Sequence, residues 1–209
     1  DQAERAPFMD LTRFASVDDY EKRYTGEQRK RRKKIRKKLE EMGEVSFRTV
    51  PQGPETDRAI AMAVAEKNEW LSARGRINRV MKCPCHLAFL KDLARVSKSG
   101  LEVVVTEMTA GGAPVSWEIA FRQGGVHFAY LTSHVNTLTD LSPGRLHMHY
   151  SQVKALQDGM TRFDLMVPYD LHKESWATGM VNTLDYYLPM SARGRILGEL
   201  YLGRVRPAL

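Results

Sequence analysis

At 209 residues with 43% hydrophobic side chains, the chain supports one sizeable core and an appendage rather than two full domains. No run of about 18 apolar residues occurs, so no membrane-spanning helix is expected, and the opening DQAERAPFMD carries no apolar signal region. The net charge of +7 is local: residues 29–38, RKRRKKIRKK, hold nine Lys or Arg and no acid, which leaves the remainder slightly acidic.

In chain order, the pattern predicts a helix from Val17 or Asp18 to Met42, ended by Gly43. Its sizeable apolar residues are only Tyr20, Tyr24, Ile35 and Leu39, so it reads either as a solvated surface helix or as an anion-binding face. The anion would come from nucleic acid, acidic lipid headgroups or an acidic partner domain. Val45 and Phe47 alternate with polar neighbours, giving a strand over 44–50, and PQGP at 51–54 is a turn. A helix over 57–73 carries Ile60, Val64 and Leu71 near one stripe, with Trp70 beside it. A loop at 74–78 leads to a second amphipathic helix over 84–97. Cys83-Pro84-Cys85 closes too short a loop for an ordinary disulfide. No second Cys pair exists to complete a zinc site. Two free thiols in a reducing cytoplasm are therefore expected.

Three strands follow in close order at 101–108, 114–122 and 126–134. The second puts Val115, Trp117, Ile119 and Phe121 on one face and Ser116, Glu118, Ala120 and Arg122 on the other; Gly124-Gly125 makes the next turn. After the loop 136–141, Ser142-Pro143-Gly144 opens a helix over 143–158, with Ser as N-cap and Pro at the first helical position. Leu146, His149, Tyr150, Val153 and Leu156 share its apolar face. Gly159 ends it, and 161–167 reads as a buried strand. A short helix over 171–177 and a final hairpin, 183–189 with 195–201 around 191–194, close the chain. The stretch 126–167 organises the rest. A strand feeding a loop into a helix N-terminus presents free N–H groups at the sheet edge, which suits phosphate. The plainer alternative is a helix cap alone.

From Glu44 the order β-α-α-β-β-β-α-β-α-β-β resembles a complete GNAT-type N-acetyltransferase. That implies an α/β (α+β) fold: a central mixed, mostly antiparallel sheet flanked by helices, with the basic helix N-terminal to it. SPGRL at 142–146, Gly159 with RFDL at 162–165, and Tyr169 with HKESW at 172–176 resemble the CelD-type GNAT family linked to bacterial cellulose and exopolysaccharide synthesis. The segment APFMDL…RKRRKKIRKKLEEMG resembles the one preceding the C-terminal GNAT unit in that family and in FemAB-like proteins, which have two such units. The division expected is an N-terminal segment, 1–43, and a GNAT-like domain, 44–209, the second unit of a longer protein. The resemblance implies acetyl-CoA or another acyl-CoA as donor, held at Ser142, Gly144 and Arg145, with Lys173 binding phosphate or a substrate acid. Common GNAT enzymes wrap the pyrophosphate with an Arg/Gln-x-x-Gly-x-Gly/Ala loop; DLSPGR offers only Gly144, hence less room for backbone approach. FemAB-like relatives use aminoacyl-tRNA, so tRNA is a second candidate partner. An acidic protein or a partner GNAT unit at 29–38 is a third.

Acyl transfer to an amine needs a base for the amine, donors for the oxyanion and an acid for the leaving thiolate. Glu118, flanked on its own face by small Ser116 and Ala120, is the candidate base; the alternative is a solvent-facing carboxylate. Tyr130 is the candidate acid, or a core aromatic. Asp164 lies inside a buried-looking strand and must be paired or catalytic, because burying it alone is costly. Lys173 is otherwise a plain surface lysine. The histidines do not form a metal set: His147 and His149 point about 200° apart on a helix, His127 and His134 fall on opposite strand faces, and His86 and His172 are isolated. The expectation is a cytoplasmic acyltransferase acting on an amine or hydroxyl of a sugar-related or small metabolite. The rivals are a non-catalytic GNAT-like binding module and an aminoacyl-tRNA-dependent transferase.

Overall fold

The computed structural model describes residues 3–76, 78–96, 100–184 and 188–199. They fall into two compact units, residues 10–164 and residues 1–9 with 165–209. In the larger unit the sheet runs β2 (Val45–Thr49), β3 (Glu102–Ala110), β4 (Ala113–Gln123), β5 (Val126–His134), β6 (Arg162–Asp164). The first four strands pair antiparallel and β6 joins β5 in parallel. The expected mixed, mostly antiparallel sheet flanked by helices is therefore present.

Strand alternation decides what covers each face. Trp117, Ile119, Val105 and Leu131 pack under α3 (Pro54–Ser72) and α5 (Pro84–Arg95), which contribute Ile60, Val64 and Leu90. A short helix, α4 (Arg79–Lys82), precedes α5. On the other face α6 (Pro143–Gln157) and α2 (Gly26–Glu40) meet Met108, Ala110 and Val115 through Leu146, Ile35 and Leu39. No helix among the described residues is long and apolar enough to cross a membrane.

The helix read over 17–42 is two helices, α1 (Val17–Lys22) and α2. Thr25 breaks it with a capping box: Gln28 N–H donates to Thr25 Oγ1 at 3.2 Å, and Thr25 N–H donates to Gln28 Oε1 at 2.9 Å. Nor is this segment wholly solvated. Tyr20, Tyr24, Ile35 and Leu39, few as they are, form a seam that is buried throughout. The end of α2 is clamped to the β3–β4 turn, where a Cβ on Gly111 (φ +58°) would lie 2.0 Å from the Met42 carbonyl oxygen. Only glycine permits that approach.

α6 departs from its predicted face. Ser142 sits in the left-handed region (φ 56°, ψ 44°) and its side chain does not cap the helix. The buried residues include Leu146 and His149 as expected, but also His147, Ser151, Gln152 and Ala155, while Tyr150, Val153 and Leu156 are half-buried. A polar face turned inward gives no apolar periodicity to read.

In the smaller unit, β1 (Ala3–Asp10), which no pattern predicted, pairs antiparallel with β7 (Gly179–Leu184). Gly179 is required there because a Cβ would lie 2.7 Å from the Phe8 ring. The strand predicted over 161–167 stops at Asp164, and Met166 takes a φ of 57°. A short helix, α7 (Leu171–Glu174), follows. The second strand of the predicted final hairpin is instead α8 (Ala192–Ile196), capped by Ser191 accepting from Gly194 N–H at 3.1 Å. The rest of that predicted strand, from residue 200, lies outside the described residues.

Candidate active site

β5 and β6 pair only from Val126↔Arg162 to Phe128↔Asp164. β5 then runs on to His134 without β6. Within that free stretch the register with β4 slips: Leu131 faces Ile119 and Ala129 faces Ala120, so Tyr130 is an extra, bulged residue. The bulge also reverses side-chain parity. His127 and His134, expected on opposite faces, lie opposite Arg122 and Ser116, which share one face of β4. The Tyr130 hydroxyl meets His86 Nε2 at 2.8 Å. Burial raises the phenol's pKa and lowers that of the imidazole.

Beyond β5 the chain makes a 3-10 turn at 136–141 and enters α6 at Ser142–Arg145. Asn136 fixes the approach, donating from its backbone N–H and its side-chain amide to the Glu66 carboxylate at 2.9 and 2.8 Å. Gly144 adjoins His134, whose Nδ1 would be 3.4 Å from a Cβ placed there. Cations surround this helix start. Lys67 donates to the Thr132 carbonyl at 3.2 Å and is driven down first by burial, then by Arg74. His134 is lowered by burial, Lys67 and Arg74. Arg145 is lowered by burial and by Arg31 of the basic helix. Ser142 N–H donates to the Thr139 carbonyl and Arg145 N–H to that of Ser142, and Pro143 has no N–H, so an anion here would draw on the Gly144 N–H and on the positive groups around it.

Beneath α6 lies a second polar cluster. Glu118 and His127 are both sealed from solvent, with His127 Nε2 2.9 Å from Glu118 Oε1. Arg122 Nε donates to His127 Nδ1 at 3.1 Å, which makes Nδ1 an acceptor and places the ring proton on Nε2. Arg122 continues to Asp158 at 2.8 Å, and Asp158 to Lys154. Glu118 is thus an enclosed carboxylate, with Oε2 unpartnered. Beside it His147 bridges Thr106 (2.9 Å) and Ser116 (2.8 Å), and burial pushes its pKa down to about 4.

The structure therefore brings Ser142, Gly144 and Arg145 together at one helix start. It sets Tyr130 on the bulge beside His86, and Glu118 under α6 with His127. Asp164 is buried at the end of β6 and paired with Arg162 at 2.9 Å. Lys173, in the smaller unit, donates to the Met166 and Pro168 carbonyls, each at 2.9 Å. Sequence reasoning passed over His86, His127 and Lys67. The bulge that orders the histidines leaves no trace in the alternation, and Lys67 looks like any helix-surface lysine.

A mostly antiparallel sheet with one parallel pair that parts after three residues, facing a cation-ringed helix start, defines a GNAT-fold protein. A family model for the acetyltransferase (GNAT) domain matches residues 26–174, and the chain belongs to that family. The match begins at the first residue of α2. No curated protein sequence matches the chain. Among solved structures, it is similar to the C-terminal domain (DUF2156) of an Agrobacterium fabrum protein assigned as a lysylphosphatidylglycerol synthetase. That likeness has a TM-score of 0.52 at 15% identity, over 80% of this chain and 48% of that one. A conserved protein of unknown function from Bacteroides thetaiotaomicron gives a TM-score of 0.51 at 8% identity, over 78% and 50%. The chain spans about half the length of both, and at these identities the likeness is one of fold.

Proposed function

We propose that the chain is an acyltransferase that moves an acyl group, acetyl from acetyl-CoA in the first instance, to an amine or hydroxyl of a sugar-related or small metabolite in the cytoplasm. The observation that carries this reading is the parting of β5 from β6 after Phe128 and Asp164, with the bulge at Tyr130 and the α6 start at the end of the open strand. The donor's phosphates would lie against Ser142, Gly144 and Arg145, with the thioester along β5. A bulge frees backbone donors at a strand edge, the kind of group that stabilises a developing oxyanion. Tyr130, held by His86, would protonate the leaving thiolate. Glu118 would act as base through its unpartnered Oε2, since both nitrogens of His127 are already engaged, by Glu118 and by Arg122. Asp164 would act through the ion pair with Arg162, and Lys173 would hold a substrate acid.

A calorimetric titration with acetyl-CoA, on wild type and Gly144→Val, tests this. Saturable binding lost in the variant supports the donor site; a folded wild type that binds no acyl-CoA overturns it. The basic helix favours a second reading, transfer from an aminoacyl-tRNA. In that case donor binding would fall steeply with salt, whereas acetyl-CoA binding would respond little to neutralising 29–38. A CelD-like role in polysaccharide synthesis rests on the motif resemblance at 142–146 and 159–176.

A further inference from the structure

A cleft of about 320 Å³ lies between α2 and α6, separate from the helix start at Ser142–Arg145. We propose that it binds a small organic phosphate, a phosphate ester whose flat ring or sugar carries a hydroxyl or amino group. This does not depend on the acyl-donor reading.

The cations come first. Arg29, Arg32, Lys33 and Arg36 line the cleft at spacings of three and four along α2, hence on one helix face. The one carboxylate in the lining, Glu21, is already engaged by Arg32 and by His149 Nε2. Arg29 is anchored on the Tyr24 carbonyl at 2.6 Å, and Arg36 on Glu40 at 2.7 Å. Lys33 has no acidic partner among the described residues. The charge is also pre-set. Arg32 is only 11% exposed and stacks 4.1 Å over the Tyr24 ring. Tyr24 donates to Tyr20, whose hydroxyl is 2.8 Å away, and Tyr20 to Gln152 of α6 at 2.7 Å. An anion entering here meets cations that need little reordering.

The floor supplies the rest. Leu146, His149 and Tyr150 give an apolar and aromatic surface on which a ring or sugar can lie. His149 is 8% exposed and its Nδ1 has no partner. Because Nε2 carries the proton given to Glu21, Nδ1 is a bare acceptor, which a ligand hydroxyl or amine would satisfy. The volume suits a small ligand, at the lower end of the roughly 300–1,000 Å³ of such pockets. A membrane surface fits less well. The apolar residues of α2, Ile35 and Leu39, are buried inward, so its outer face has nothing to insert between lipids.

The test is calorimetric titration of the whole chain with adenosine 5′-monophosphate, with inorganic phosphate as competitor. Saturable binding displaced by phosphate is expected. Lys33→Glu, on an exposed position, should weaken it at least about tenfold. Lys38→Glu, on the same helix outside the lining, should weaken it clearly less than Lys33→Glu does, since it alters only the general field and removes no lining cation. Several results would overturn the proposal: no saturable binding by folded chain, no displacement by phosphate, or equal loss in both variants. Loss in Gly144→Val with Lys33→Glu unaffected would move the phosphate to the α6 start. Binding confined to single-stranded oligonucleotide or to phosphatidylglycerol vesicles would replace the small ligand with a macromolecule.

Discussion

His127 Nε2 donates to Glu118 Oε1 across 2.9 Å, with the two residues 1% and 0% exposed. The pair joins β4 and β5 beneath α6, and Arg122 fixes the imidazole from the far side. Removing one member of a buried pair strands the other. His127→Ala should therefore cost roughly 3–5 kcal/mol, read as a fall in the urea midpoint. A cost below about 1 kcal/mol would mean that water takes the imidazole's place beside the carboxylate.

His147 gives the fold an acid-side slope. Its folded pKa of about 4 lies below the unfolded value of 6.5, so the unfolded chain binds the proton first as pH falls. Above pH 6.5 this group leaves stability independent of pH. Between 6.5 and 4 stability drops, by about 3 kcal/mol in all from this residue. His149, pushed down to about 3 mainly by burial, adds a slope of the same sign. His147→Asn should remove about one proton's worth of slope in that window, measured as unfolding free energy against pH. An unchanged slope would place the titration elsewhere.

Gly111→Ala should destabilise the chain by at least about 2 kcal/mol. The added Cβ meets the Met42 carbonyl at a backbone angle unsuited to alanine. Gly112→Ala, also at positive φ but with open space around it, should cost less. Thermal unfolding of the pair separates the clash from the backbone conformation, and equal costs would sink the clash.

If Tyr130 is the acid for the leaving thiolate, Tyr130→Phe should lower kcat on the order of a hundredfold with little change in KM. Steady-state acetyl transfer to a panel of amines reads this out. A KM effect alone would make Tyr130 a packing residue beside Phe121.

The strands at 102–123 were legible because Trp117, Ile119 and Phe121 alternate with Ser116 and Glu118; Val115, expected beside Trp117, falls instead on the α2–α6 side, where the β3–β4 register slips between Met108 and Thr109. β1 was not, since ERAPFMD mixes charge with Pro7 and depends on β7 for its pairing. The break before α2 was written in Thr25 and Gln28 but outweighed by a continuous run of helix formers. At the candidate site, the α6 start could be read from Ser142-Pro143-Gly144. The sealing of Glu118 could not, because the inward side of α6 carries buried His147, Ser151 and Gln152 rather than an apolar stripe. Glu118 and His127 share a face through the hairpin pairing of His127 with Arg122; the bulge at Tyr130 brings His134 to that face as well, and a two-residue period carries no sign of it.

The glycine contact between Met42 and Gly111, with the capping box at Thr25, closes the basic helix at both ends. A run of nine lysines and arginines would be the first place a trypsin-like protease cuts in an open chain. Held as a helix, it withholds those bonds, since cleavage needs an extended backbone. The rate at which trypsin enters 29–38 therefore measures how often α2 lifts away, and Gly111→Ala should make that segment the chain's weakest point.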